Sequence, residues 1–144
     1  MEFSGKIDVN SPREKIFEYL SAPQKMASLI PGMQNYSIEN NEIKMDVMVG
    51  LSFIKGKFKV KLKPLKLDNP SHVELKGSGS GAGSSIDFTA TFDIKAITKA
   101  SSEISWKAVV NVGGMAATFG SQMIKNAAQN FINQVIESLK NAAE

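Results

Sequence analysis

Residues 104–112, ISWKAVVNV, followed by Gly113-Gly114 and then residues 115–141, MAATFGSQMIKNAAQNFINQVIESLKN, decide the fold. Ile104, Trp106, Ala108, Val110 and Val112 alternate with Ser105, Lys107, Val109 and Asn111, the period of two that gives a strand one dry face. Past the glycine pair the period becomes helical. Ala116, Phe119, Met123 and Ala127 form one apolar stripe. Ile124, Ala128, Phe131, Val135 and Leu139 form an adjoining one, and Gln122, Lys125, Gln129, Asn133 and Lys140 face away. The pattern predicts a helix over 115–141, roughly 40 Å long.

Upstream, the period of two persists from about residue 33. Ile43, Met45, Val47 and Val49 alternate with Glu42, Lys44, Asp46 and Met48. Phe58, Val60 and Leu62 alternate with Lys57, Lys59, Lys61 and Lys63. Val73 and Leu75 follow, then Ile86, Phe88, Ala90, Phe92 and Ile94. Asn40-Asn41, Asn69-Pro70-Ser71, the stretch from Gly77 to Ser85 and Lys99 to Ser102 read as turns. At the start of the chain Phe3, Gly5, Ile7 and Val9 predict another strand. Ser11-Pro12-Arg13-Glu14 then reads as an N-cap, a first-turn proline and a capping glutamate. Ile16, Phe17 and Leu20 give the inner face of a short helix. Pro23 opens a second one through Met26, Leu29 and Ile30, which Pro31-Gly32 ends. The order is strand, two short helices, six strands, long helix. The class is α+β, with a seven-stranded, curved, antiparallel sheet around a long C-terminal helix, in one domain over residues 1–144.

A strongly curved sheet cannot press its whole inner face onto one helix, so a cavity between them is expected, with the short helices plugging one end. Side-chain parity predicts a lining of Met26, Leu29, Met45, Val47, Phe58, Val60, Phe88, Phe92, Trp106, Phe119 and Met123. Such apolar walls suit ligands with few polar groups, and methionine lets a pocket adapt its shape. The alternative is that the same residues simply fill a core.

Composition removes several classes of chemistry. The 144 residues include no cysteine and one histidine, His72. Disulfides, thiolate catalysis and iron–sulfur ligation are therefore excluded, and no metal site or cofactor is expected. His72 falls at a strand start, facing outward by parity. Glu14, Glu18, Asp46, Asp87 and Asp93 are predicted outward or in caps, so no carboxylate enters the cleft for general acid–base work and no catalytic residue is assigned. Tyr19, Tyr36 and Ser52 are the remaining candidates for polar groups in a pocket. Net charge is +3, and Arg13 is the only arginine among 17 basic residues, which argues against base-reading contacts to nucleic acid. Met1 to Val9 lacks the apolar segment of a secretion signal, and no run of residues is apolar enough to cross a bilayer. The expected location is cytoplasmic, with peripheral membrane contact as an option.

Two motifs stand out. Gly77-Ser78-Gly79-Ser80-Gly81-Ala82-Gly83 lacks the lysine and Ser/Thr of a phosphate loop and leads into a strand rather than a helix, so it is expected to be a flexible hairpin, open to a role as a gate. Lys55, Lys57, Lys59, Lys61 and Lys63 alternate strictly and should project from one face. They form either a solvated outer face partnered by residues such as Asp46 and Glu74, or a docking surface for anionic lipid or an acidic protein.

The element order resembles the START-like, helix-grip superfamily (SRPBCC), the fold of the birch-pollen allergen. More narrowly, the chain is similar to the G-subunit family of carbon monoxide dehydrogenase. The matching pieces are Phe3-Ser4-Gly5, Ser11-Pro12-Arg13-Glu14, Ile30-Pro31-Gly32, Gly50 with Lys55-Gly56-Lys57-Phe58, Gly77-x-Gly79-x-Gly81, and Val112-Gly113-Gly114 leading to Gly120-Ser121. The family commonly has a proline after the glycine matched by Gly50; here Leu51-Ser52 follows. Many members continue past the long helix into a Pro-rich linker and a membrane-binding tail; this sequence ends at Glu144. The resemblance implies a non-catalytic accessory protein. It would carry quinone or lipid to a molybdenum-containing carbon monoxide dehydrogenase or related hydroxylase, or bring that enzyme to the membrane. Two alternatives are a docking module with a filled core and a cyclase or dehydratase of the kind the superfamily also contains.

Overall fold

The computed structural model describes residues 1–51 and 54–144, with side chains described for 1–50 and 55–144. The elements run β1 (Glu2–Val9), α1 (Arg13–Ser21), α2 (Pro23–Ser28), β2 (Met33–Glu39), β3 (Glu42–Leu51), β4 (Ile54–Asp68), β5 (His72–Gly81), β6 (Ser84–Thr98) and β7 (Ser101–Gly114). A 3₁₀ turn over Met115–Phe119 and α3 (Ser121–Ala143) complete the chain. One antiparallel sheet has the order β1-β7-β6-β5-β4-β3-β2. The last six strands form a sequential meander, and β1 closes onto β7 with Phe3 opposite Ala108 and Ile7 opposite Ile104.

Period-two alternation decides which face is dry. Ile43, Met45 and Val47 on β3, Phe58 and Leu62 on β4, Val73 and Leu75 on β5 and Ile104, Ala108 and Val110 on β7 are all buried. Their sequence neighbours carry the charges outward. The first core cluster joins Ile16, Phe17 and Leu20 of α1, Met26 and Ala27 of α2, and Leu139 and Ala143 at the far end of α3 to the inner faces of β3–β7. A second gathers Phe3, Ala108 and Val110, with Ala128 and Ile132 of α3 against them. The long helix is therefore seated at two places along the sheet.

The tight turns follow local chemistry. Asn40 and Asn41 both take positive φ (50° and 64°), as do Ala82 and Gly83 (51° and 72°), the backbone of two-residue hairpins. Gly81 pairs with Ser84 across the second hairpin.

Three expectations are corrected here. The stretch from Gly77 to Ser85 is strand except for the Ala82-Gly83 turn. The missing side chain of Gly77 makes room for the Phe88 ring from β6, and that of Gly81 lets β4 approach at Lys57 and Phe58. The helix does not run from 115: Gly120, at φ 90° and ψ 150°, separates the 3₁₀ turn from α3 and resets the helical phase. Ser11 is not the N-cap. Pro12, in extended conformation, holds that position, and its carbonyl accepts the Lys15 and Ile16 amides. Ser11 is instead buried, and its carbonyl accepts the Ser102 hydroxyl at 2.8 Å.

Candidate functional site

Between α3 and the sheet lies a cavity of about 250 Å³, partly open to solvent and almost wholly apolar. Each wall comes from one periodicity. Met45, Val47 and Val49 of β3, Phe58, Val60 and Leu62 of β4, and Leu75 of β5 form one side. Ile86, Phe88, Ala90 and Phe92 of β6, with Trp106, Ala108, Val110 and Val112 of β7, form the floor. Ile124, Ala127, Ala128, Phe131, Ile132, Val135, Ile136 and Leu139 of α3 roof it, and Leu20, Met26, Leu29 and Ile30 close one end. Ala116, Ser84 and Ser85 stand where the 3₁₀ turn meets β6.

Met26 and Leu29, at the second short helix, and Met45, Val47, Phe58, Val60, Phe88, Phe92 and Trp106, on the strands, line this cavity. Phe119 and Met123 do not: they are 42% and 43% exposed and line no part of the cavity. Gly120 breaks the predicted helix between them, and of its first apolar stripe only Ala116 and Ala127 stay in the wall, while the second stripe, from Ile124 onward, faces in. Sequence reasoning did not assign the α3 residues and the small residues Ala90, Ala108 and Ala127 to the wall. Alanines opposite one another leave the space that larger residues would fill.

Polar groups at the wall are few. Ser84 Oγ accepts the Ala116 amide at 3.0 Å. Lys107 touches the wall, but its ammonium reaches Glu2 on the outer face at 3.5 Å. The Trp106 ring lies against Gly5 of β1, and its Nε1 is covered with no hydrogen-bond partner among the described residues. Tyr19 packs at the rim of the core with Lys25 5.1 Å from its ring, and Tyr36 on edge strand β2 is 40% exposed. Ser52 lies outside the described residues. No carboxylate or imidazole of the described residues lines the cavity, and none of their His, Asp and Glu clusters could hold a metal. Among the described residues no helix is long and apolar enough to cross a membrane.

The lysine ladder projects outward as expected: Lys55, Lys57, Lys59, Lys61 and Lys63 are all exposed. Lys57 pairs with Asp46 at 3.6 Å, and it alone of the five has an ion pair among the described residues. Lys61 stands beside Lys44, and Lys63 beside Lys76, in the register of the neighbouring strands. Glu74 is not a lysine partner, because it belongs to His72.

His72 is more than a free surface imidazole. Its Nδ1 lies 2.6 Å from Asp93 Oδ1 and its Nε2 2.9 Å from Glu74 Oε2. Both ring nitrogens can donate only in the imidazolium form. The hydrogen bond to Asp93, and next that to Glu74, accordingly raise its pKa above the ordinary value. A raised folded-state pKa gives stability that is fully present below about pH 6.5 and is lost as pH climbs through the folded value. Replacing His72→Gln should remove that part of the pH dependence. The thermal midpoints of the two proteins, compared between about pH 6 and pH 9, should converge at the alkaline end. A constant gap across the range would show that the pair of hydrogen bonds carries no proton linkage.

Three solved structures share the architecture. A conserved protein from Geobacillus kaustophilus aligns at 19% identity with a TM-score of 0.91, covering 99% of this chain and 95% of that one. A START superfamily protein from Mycobacterium smegmatis aligns at 12% identity, TM-score 0.74, covering 99% and 96%. The di-domain ARO/CYC protein BexL aligns at 12% identity, TM-score 0.71, over 98% of this chain and 45% of that one. No curated protein matches the chain. At these identities the structures establish the fold, the START-like helix grip. Residues 5–144 match the model of CoxG, the G-subunit of carbon monoxide dehydrogenase, and the chain belongs to that family.

Proposed function

We propose that this protein is a non-catalytic carrier that holds one apolar molecule of the quinone or lipid class between its sheet and α3. Its partner is a molybdenum-containing enzyme of the carbon monoxide dehydrogenase type. The observation that carries the reading is the apolar cavity of about 250 Å³, with no carboxylate or imidazole among its described lining residues. A dry cavity of about 150 Å³ suffices for benzene, so this one is sized for one or two fused rings or a short run of acyl chain. That favours a quinone head, with its tail leaving the cavity, over a whole diacyl lipid. Family membership supports the enzyme partner. The absence of a carboxylate or imidazole among the described lining residues supports carriage rather than conversion, because general acid–base catalysis needs such a group at the reacting atom.

Trp106 is the only tryptophan and stands in the cavity wall, so it reports on occupancy. Titration with a short-chain benzoquinone or naphthoquinone should quench its fluorescence saturably, at one equivalent per chain. A quench that rises linearly with concentration and never saturates would be collisional and would remove the quinone reading. Saturable uptake of a fatty acid in its place would move the cargo to the lipid class.

A further inference from the structure

Ser84 opens β6 in step with Ile86 and Phe88, so its side chain shares their inner face, and it lies in the cavity wall. Its hydroxyl accepts the Ala116 amide at 3.0 Å. That bond uses one lone pair and leaves the hydroxyl proton to turn elsewhere. No acceptor among the described residues takes that proton.

The other polar side chains at the wall are turned away or covered. The Lys107 ammonium is on the outer face with Glu2. Ser85 points outward by strand parity and is exposed. The Trp106 Nε1 is covered and out of a ligand's reach. Ser84 therefore holds the hydroxyl proton that the described wall can give to a molecule in the cavity.

Its position gives that proton a direction. Leu20, Met26, Leu29 and Leu139 shut the far end of the cavity and are all buried. Gly83 and Ser85, on either side of Ser84, are exposed, and so is Met115, whose amide donates to the Gly83 carbonyl at 2.9 Å. The 3₁₀ turn that Ser84 holds leads into α3, and Leu139 lies about 27 Å along that helix. The cavity is thus apolar along its length and carries its available donor at one end.

We propose that Ser84 is the polar anchor of the cavity: its hydroxyl donates to a neutral carbonyl oxygen of the cargo. The anchor selects a carbonyl-bearing molecule and seats it with that carbonyl at the 3₁₀ turn and its apolar body toward α1 and α2. The inference rests on the carrier reading and adds which group of the cargo the protein recognises. A chain of hydrogen bonds then runs from the Ala116 amide through the Ser84 hydroxyl to the cargo, and each link polarises the next. A carboxylate would meet one neutral donor and no cation in an apolar cavity, which favours an uncharged carbonyl. A quinone supplies one. The ring carbon that bears a quinone's tail is next to a carbonyl carbon, so a carbonyl held at this end leaves the tail there to exit.

The test is calorimetric titration of the full chain with naphthoquinone and with naphthalene, the same two rings without the oxygens. Ser84→Ala should lower the ratio of naphthoquinone to naphthalene affinity about tenfold, because the carbonyl then enters the cavity without a donor. Ser84→Thr keeps the hydroxyl and should restore the ratio. Losing the Ala116 bond alone would loosen the turn and weaken both ligands together, so an unchanged ratio would overturn the anchor. The infrared carbonyl bands of bound naphthoquinone give a second reading. In the parent one band should lie at lower frequency than the other, and in Ser84→Ala the two should merge. Identical spectra from parent and variant would also overturn the anchor. An ester offers the same acceptor, so methyl octanoate is titrated alongside. A loss in Ser84→Ala confined to the ester would keep the anchor and give it to a lipid carbonyl. If the parent takes up none of the three saturably, the carrier reading falls and the anchor with it. Saturable uptake with an unmoved ratio sinks the anchor alone.

Discussion

Ala127→Phe should weaken cargo uptake on the order of a hundredfold and leave the protein folded. Ala127 is buried on α3 and looks into the cavity, opposite the floor that Ala108 of β7 helps to form. A phenyl group placed there occupies the space a ligand would take. Denying a ligand roughly 100 Å² of apolar burial, at about 25 cal/mol per Å², costs about 2.5 kcal/mol, on the order of a hundredfold in affinity. The effect on stability separates the carrier from the filled-core reading. In a close-packed core the same substitution forces neighbours off their rotamers and costs about 1–3 kcal/mol. Into a cavity it fits, and the thermal midpoint stays level or rises. Ala108→Phe, from the opposite wall, should behave the same way. Quinone quenching of Trp106 and a thermal melt check both arms; a variant that melts early while still binding would contradict the cavity.

Gly32→Ala is the substitution expected to cost the fold most. Gly32 has φ 77°, and a Cβ there would run into the Met48 carbonyl of β3. The left-handed backbone alone costs a non-glycine residue about 1–2 kcal/mol. Because the obstacle is backbone, the strand must also shift, which strains the 2.8 Å bond from the Met48 amide to the Gly32 carbonyl. The total is about 2–4 kcal/mol, or about 10 °C in thermal midpoint for a chain of this size. The damage reaches the cavity, because Gly32 fixes the entry from α2 into β2, and Met26, Leu29 and Ile30 just before it close one end of the wall. Gly50→Ala is the control: among the described residues no neighbour lies within 4 Å of a Cβ built there, and its φ is not in the left-handed region. Equal melting of the two variants would show that the Gly32 contact is not a constraint.

Strand parity was legible throughout, because burying one face of a sheet leaves a period of two that nothing else produces. It placed Met45, Phe58, Phe88 and Trp106 correctly without knowledge of any pairing. The errors lie where glycine carries two meanings. Gly77 and Gly79 read as turn residues, yet they are strand positions. At Gly77 the missing side chain is replaced by the Phe88 ring, a cross-strand relation invisible until the register of β5 and β6 is known. Gly120 read as one more residue inside the helix, yet its positive φ ends the 3₁₀ turn and delays the start of α3 to Ser121. The clamp on His72 was half visible: Glu74 shares its face by parity, but Asp93 arrives only through the pairing of β5 with β6. The exposure of Phe119 and Met123 was hidden for the same reason as the helix start, since the sequence pattern had assigned both to the interior.

Native mass spectrometry of the purified protein, followed by solvent extraction and identification of whatever is released, tests the carrier reading most directly. The account predicts one small apolar molecule per chain, with a ring system of quinone size, displaced in the Ala127→Phe variant. A bare mass that persists after incubation with quinones and lipids would contradict it.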